Sequence, residues 1–117
     1  MHLSFHEFGL LDNVDKQQKD DIRYDPEKLD YLSVHDDIME GLAERLSSMK
    51  TFYHSFDRPE HGLAYCGITI IPPESLSTFY MAVISNESFT KSTELQELSM
   101  LIKQAIERRK YIVHFGI

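Results

Sequence analysis

The chain has 117 residues, of which 42% are hydrophobic and 26% are charged, and its formal net charge is −7 at pH 7. A chain of this size holds one hydrophobic core, so we expect residues 1–117 to form a single domain. No apolar run approaches the ~20 residues that a membrane span requires, so we expect no membrane partner.

The opening residues and the cysteine count indicate the compartment. The first stretch, MHLSFHEFGLLDNVD, lacks the basic start, long apolar run and small-residue cleavage site of a secretory signal peptide. Cys66 is the only cysteine and has no second thiol for an internal disulfide, which fits a reducing compartment. We therefore expect a cytoplasmic protein.

The negative charge is concentrated in one part of the chain. Residues 12–44 contain eleven acidic and four basic side chains and so account for the whole net charge, while the remainder is neutral. A field of this sign repels the phosphate backbone of nucleic acids and attracts basic surfaces. The charge pattern therefore disfavours DNA or RNA as a partner and favours a basic protein.

The first half of the chain predicts a strand, a long loop and a helix. The opening HLSFHEF is β-prone, with Leu3 and Phe5 on one face of the predicted strand. The next apolar residues, Phe8 and Leu10, fall on the other face, which predicts a bulge or an early end of the strand. Residues 12–32 show no sustained period and predict a long acidic loop. Apolar residues then recur at helical spacing, and Ser33 with Asp36 resembles a capping box, so we predict a helix over 34–49.

The second half predicts a hairpin, two helices and a last strand. KTFYHSF and LAYCGITII flank the turn DRPEHG and predict an antiparallel hairpin. Pro72 and Pro73 end its second strand, and helical spacing predicts helices over 73–85 and 93–109, the latter with a Thr93–Gln96 capping box. The closing YIVHFGI predicts a strand placed centrally or beside the first.

These elements indicate a single two-layer α/β (α+β) sandwich. Their order is β-α-β-β-α-α-β, which predicts a mixed sheet of about four strands with about three helices packed mainly on one face. Architecture of this kind hosts many activities, so it carries no functional conclusion by itself.

Residues with reactive side chains give no strong chemical signature. Cys66 lies in the middle of a predicted strand, away from the element ends where activated thiols occur, so we interpret it as a buried core thiol. The spacing of the six histidines does not predict a metal site, and we expect no metal and no cofactor. His54 and His61 flank the predicted turn, which leaves open a small enzyme that uses them together with Cys66.

In size, charge and lack of a catalytic motif, the chain resembles the immunity proteins of bacterial polymorphic-toxin and contact-dependent growth inhibition systems. The segments GLAYCGITIIPPESL and YIVHFGI add to this resemblance, which is one of overall profile. It implies an acidic protein that neutralises a toxin domain, such as a nuclease, in a one-to-one complex. A nuclease active site is positive because it binds phosphate, so an acidic inhibitor docks to it rapidly and selectively.

We predict that the acidic region and its aromatic residues form the contact surface with the partner. The predicted partner-binding residues are Asp20, Asp21, Tyr24, Asp25, Tyr31, Asp36, Asp37, Glu40 and Glu44. Two alternatives stay open: these acids only keep the protein soluble, or the chain is a homo-oligomeric structural or regulatory subunit.

Overall fold

One antiparallel sheet carries the fold in the computed structural model, which describes residues 4–11 and 31–116. The strands are β1 (Phe5–Leu11), β2 (Leu32–His35), β3 (Lys50–Tyr53), β4 (Pro59–His61), β5 (Ile68–Ile71) and β6 (Tyr111–Phe115). Their order across the sheet is β2-β1-β6-β5-β3-β4, and every neighbouring pair is antiparallel. As predicted, the closing strand is central and lies beside β1.

Three α-helices pack against one face of this sheet. They are α1 (Asp36–Leu46), α2 (Leu76–Ile84) and α3 (Thr93–Arg108), and a 3-10 turn at Pro73–Ser75 leads into α2. The core lies between the helices and the sheet face that carries Phe8, Ile71 and Ile112. The helix layer contributes a set of fully or almost fully buried side chains to it: Leu42, Leu46, Leu76, Phe79, Val83, Leu95, Leu98 and Ile102.

The mixed α+β class and the three helices are confirmed, but the predicted sheet is wrong in two respects. The described residues form six strands rather than about four, and the sheet is antiparallel rather than mixed. The predicted order β-α-β-β-α-α-β omits β2 and β4. β4 is exposed at all three positions and shows no apolar alternation. β2 does alternate, with Leu32 and Val34 apolar, but the predicted loop 12–32 and helix 34–49 divided its four residues.

The predicted boundaries also change at both hairpin strands and at β1. β1 runs without interruption to Leu11, so the expected early end is wrong. The predicted partner of β3 shortens to Ile68–Ile71, and β3 pairs with β4 on one side and with β5 on the other. Residues 62–67 form a loop, in which the backbone N–H of Ala64 binds the side chain of Thr69 instead of a ladder partner.

Two predicted caps are replaced by neighbouring residues. His35, rather than Ser33, caps α1, since its Nδ1 accepts a hydrogen bond from the backbone N–H of Asp37. Ser92, rather than Thr93, caps α3 by accepting from the N–H of Leu95. Within the described residues, no helix is long and apolar enough to cross a membrane.

Candidate functional site

Five polar side chains are joined by hydrogen bonds from the interior of the sheet to the surface beside the start of α1. His114 on β6 bonds to Thr69 Oγ1 through Nδ1 (3.2 Å) and to His6 Nδ1 through Nε2 (2.8 Å). His6 Nε2 lies 2.9 Å from Asp36 Oδ1. Tyr65 donates its hydroxyl to Asp36 Oδ2 at 2.9 Å. We call these five residues the polar chain.

Burial decreases steadily along the polar chain. His114 and Thr69 are fully buried and His6 is 3% exposed. The side chain of Asp36 is 14% exposed, and Tyr65 is 54% exposed. The polar chain therefore links a group without solvent contact to a group at the protein surface.

Hydrogen-bond chemistry sets the direction of two contacts in the polar chain. Ionised Asp36 can only accept, so His6 donates to it from Nε2. His6 Nδ1 and His114 Nε2 share one hydrogen bond, with a single proton between them. Thr69 accepts the backbone N–H of Ala64 at 2.8 Å. All four ring nitrogens of the two histidines are therefore engaged in hydrogen bonds.

The environment shifts three pKa values in directions that keep this arrangement intact at neutral pH. Burial, followed by the charge on His6, lowers the pKa of His114 to about 3. The hydrogen bond from His6 holds the pKa of Asp36 below its usual 3.8, against the opposing effect of partial burial. The hydrogen bond to Asp36 raises the pKa of Tyr65 above 10, and burial and the charge of Glu40 act in the same direction.

A pocket of about 280 Å³ opens beside the polar chain, between α1 and the segment 61–65. Its apolar walls are Met39, Ala43, Leu46 and Leu63. The remaining lining residues are His6, Asp36, Glu40, Ser47, His61, Gly62 and Tyr65. Asp36 and Glu40 are four residues apart in α1, which places them on one helix face one turn apart.

Local interactions at the start of α1 place Asp36 at this pocket. The N–H of Asp36 donates to Ser4 O at 2.9 Å, which ties the helix to the beginning of β1. The N–H of His35 donates to Glu94 Oε2 at 2.6 Å, which ties it to α3. Asp36 and Asp37 occupy the first turn, where the helix dipole stabilises negative charge.

Gly116 positions the opposite wall of the pocket. Its N–H donates to Gly67 O at 2.6 Å and holds the end of β6 under the loop 62–67. A Cβ at position 116 would overlap the carbonyl oxygen of Tyr65 and would lie 2.7 Å from that of Ala64. Only glycine allows this approach, which places Tyr65 within reach of Asp36.

The structure places four of the nine predicted partner-binding residues together on α1 and places Tyr31 away from them. Asp36, Asp37, Glu40 and Glu44 lie on α1, and all but Asp36 are exposed. Tyr31 lies instead on the sheet face away from the helices, where its ring contacts Phe115 at a centroid distance of 5.2 Å. The other predicted residues, Asp20, Asp21, Tyr24 and Asp25, fall outside the described residues.

Two residues of the enzyme alternative, His61 and Cys66, occupy different surroundings, while the ring of His54 lies against Gly67, the chain neighbour of Cys66. His61 lines the pocket beside α1, whereas Cys66 lines a separate shallow depression with Phe5 and Phe115. The prediction of a buried Cys66 is wrong, because the residue lies in the loop 62–67 and is exposed. No side-chain hydrogen bond among the described residues joins His54, His61 and Cys66.

Four members of the polar chain were absent from the predicted site: His6, Thr69, Tyr65 and His114. The sequence contained one signal for the two histidines. His6 is two residues before buried Phe8, and His114 is two residues after buried Ile112. Strand alternation therefore places both histidines on the core face. Their pairing across 108 residues depends on the sheet order, which local patterns do not specify.

The polar chain is suited to holding a negative charge rather than to moving a proton to a substrate. Both ring nitrogens of His6 are already engaged, so neither is free to act as a general base. Asp36 has a lowered pKa and is a weak base, while Tyr65 has a raised pKa and stays protonated. What faces the pocket is an ionised carboxylate fixed by two donors.

No family model, curated protein or solved structure matches this chain. The resemblance to immunity proteins is therefore neither supported nor contradicted by a known relative, and it stays a hypothesis.

Proposed function

We propose that this protein is an acidic binding module that neutralises a basic partner by direct complex formation. The observation that carries the proposal is the row of carboxylates on α1 next to the pocket. The Asp37 side chain is 85% exposed, and Glu40 and Glu44 are exposed on the following turns. Among residues 4–11 and 31–116, the charged contacts of Asp36 and Asp37 run to His6 and His35 rather than to lysine or arginine.

Such a surface favours a basic protein partner for a physical reason. Exposed carboxylates create a negative potential that accelerates encounter with a positive surface. The fixed carboxylate of Asp36 extends this charge into a pocket, where a partner side chain is removed from water and interacts more strongly. Rapid docking and a buried contact point are both properties of an inhibitor.

The more specific proposal is an immunity protein that inhibits a nuclease-type toxin domain in the producing cell. A nuclease has a positive active site because it binds phosphate, so the α1 surface complements it. The profile-level resemblance described above supports the same assignment. Inhibition then requires only that the complex cover the active site, and the protein needs no catalytic group of its own.

The test begins with capture of the partner and ends with its activity. Tagged protein is incubated with lysate of its host at low and at raised salt, and the captured protein is purified and assayed as a nuclease. We expect a basic partner whose nuclease activity is abolished at one equivalent of this protein. A partner whose activity is unchanged at saturation would contradict the inhibitor proposal.

Matched variants test whether the α1 surface makes the contact. Glu40→Lys/Glu44→Lys reverses two exposed charges on α1, and Glu97→Lys/Glu107→Lys makes the same charge change on exposed positions of α3. We expect the α1 variant to bind the partner at least about tenfold more weakly, since close charge pairs across interfaces couple by roughly 1.5 kcal/mol or more. Equal affinity of the two variants would locate the interface elsewhere.

A further inference from the structure

The pocket beside α1 has the size of a site for one side chain. Its volume of about 280 Å³ lies just below the roughly 300–1,000 Å³ of pockets that enclose small-molecule ligands. It lies next to the exposed carboxylates of α1, so a protein docked on that surface also covers the pocket. A single residue projecting from the partner is therefore its natural occupant.

The lining of the pocket has two chemical parts. Met39, Ala43 and Leu46 of α1 provide an apolar wall, and Leu63 faces it from the loop. Asp36 and Glu40 provide carboxylates on the same helix. Long basic side chains match this pattern, because they pack an apolar stem against apolar surface and carry a cation at the tip.

Resting on the proposed function, we propose that this pocket binds the guanidinium group of an arginine from the basic partner. A guanidinium has five N–H donors in one plane and can reach two carboxylates at once, whereas an ammonium is a compact point charge. Asp36 and Glu40, one helical turn apart, offer two such acceptors. The half-exposed ring of Tyr65, which also lines the pocket, offers an aromatic surface for stacking.

The polar chain prepares Asp36 for this contact. His6 and Tyr65 each donate to a different oxygen of Asp36 (2.9 Å in both cases), so the carboxylate is held in one orientation. Each oxygen keeps a further lone pair for a second donor. Binding therefore requires no rearrangement of the acceptor, which lowers the entropic cost of association. His6 and Tyr65 act as positioning residues.

The test uses three small probes and backbone amide NMR on the intact protein. N-acetyl-arginine amide is titrated at low salt, with N-acetyl-citrulline amide as the uncharged isostere and N-acetyl-lysine amide as the second cation. We expect the arginine probe to shift the amides of Asp36, Glu40 and Tyr65 with millimolar affinity. The citrulline probe should bind at least about tenfold more weakly, and the lysine probe should be weaker than the arginine probe.

Conservative variants identify the carboxylates that bind. Asp36→Asn should weaken the arginine probe by about tenfold while keeping an oxygen that accepts from His6. Glu40→Gln, at an exposed position that no core contact depends on, should weaken it severalfold. Glu97→Gln on α3 is the control and should leave binding unchanged. Equal binding of arginine and citrulline probes, preference for lysine, or shifts confined to other surfaces would overturn the inference.

The experiments distinguish failure of the arginine site from failure of the proposed inhibitor function. If no probe shifts the amide signals of the pocket while the α1 charge reversal still weakens partner binding, the arginine site is wrong and the acidic inhibitor stands. If the arginine probe binds the pocket but the captured partner's nuclease activity is unaffected, the site stands and the inhibitor proposal is wrong.

Discussion

His114 makes the stability of the protein depend on pH. Its pKa is near 6.5 in the unfolded chain and about 3 in the folded protein, so between these values the unfolded state binds one more proton. Its contribution is therefore fully present above pH 6.5 and is lost as the pH falls toward 3. We expect a slope in the free energy of unfolding that approaches the one-proton limit of about 1.4 kcal/mol per pH unit.

Urea unfolding between pH 4.5 and 7.5 measures this slope. Asp36 contributes separately, below its usual value of 3.8, because its folded pKa is lowered, so this range excludes the contribution of Asp36. His114→Gln should flatten the slope and also lower stability at pH 7, whereas His61→Gln, at an exposed site, should leave the slope unchanged. Parallel curves for the wild type and His114→Gln would contradict this account.

The hydrogen bond between Tyr65 and Asp36 predicts an altered titration of the phenol. The pKa of Tyr65 is raised above 10, first by its hydrogen bond to the carboxylate. Asp36→Asn should therefore lower the pKa of Tyr65 toward 10, while Asp37→Asn, one residue along and exposed, should not. Carbon NMR of the tyrosine Cζ follows the titration, and an unchanged Tyr65 pKa in Asp36→Asn would contradict the hydrogen bond.

Residues of the candidate site were predictable where the chemistry was local. The acids of α1 follow from charge counting and helical spacing, and the structure places Asp36 and Glu40 together at the pocket. The histidine pair was not predictable in this way, because it depends on β1 and β6 being neighbours. Cys66 was misplaced for a related reason, since its apolar neighbours suggested a strand where the chain forms a loop.

At the scale of elements, we expect substitution by alanine to lower the free energy of unfolding at Gly116 and to raise it at Gly41. At Gly116, a Cβ would meet the backbone of Tyr65 and Ala64, which cannot move without displacing the loop 62–67. We expect Gly116→Ala to lower the free energy of unfolding by about 1–3 kcal/mol. It should also shift the amide signals of the pocket.

Gly41 lies in exposed α1 and provides the comparison. A Cβ there meets only the side-chain amide of Asn86, at 3.5 Å. Gly41→Ala should stabilise the protein by about 0.5–1 kcal/mol, because alanine favours the helix. Thermal or urea unfolding of the two variants checks both signs, and a stable Gly116→Ala with an unchanged pocket would contradict the role of the close approach.

Elements with a strong period were predictable, and those without one were not. The predicted helix over 93–109 matches α3, which extends over Thr93–Arg108. The prediction succeeded because the buried residues of α3 recur at helical spacing. β4 was missed because its three residues are all exposed. β2 was missed because its four residues span the end of the predicted loop and the start of the predicted helix. The antiparallel pairing of the sheet likewise depends on long-range contacts rather than on local propensity.

At the scale of the whole molecule, charge and fold act together. The sheet and α3 hold α1 at the surface with its acidic face outward, and the polar chain keeps one carboxylate fixed within the adjacent pocket. In the proposed function, the exposed acids accelerate encounter with a basic partner and the pocket receives one of its side chains. The docking surface that we propose is therefore the acidic face of α1.

The most direct test is the association rate constant for the captured partner, measured by stopped flow over a series of salt concentrations. Electrostatic steering predicts a rate that falls steeply with salt for the wild type and for Glu97→Lys/Glu107→Lys. For Glu40→Lys/Glu44→Lys it predicts a slower rate with a weaker salt dependence. If all three proteins associate at the same rate with the same salt dependence, the acidic face of α1 is not the docking surface.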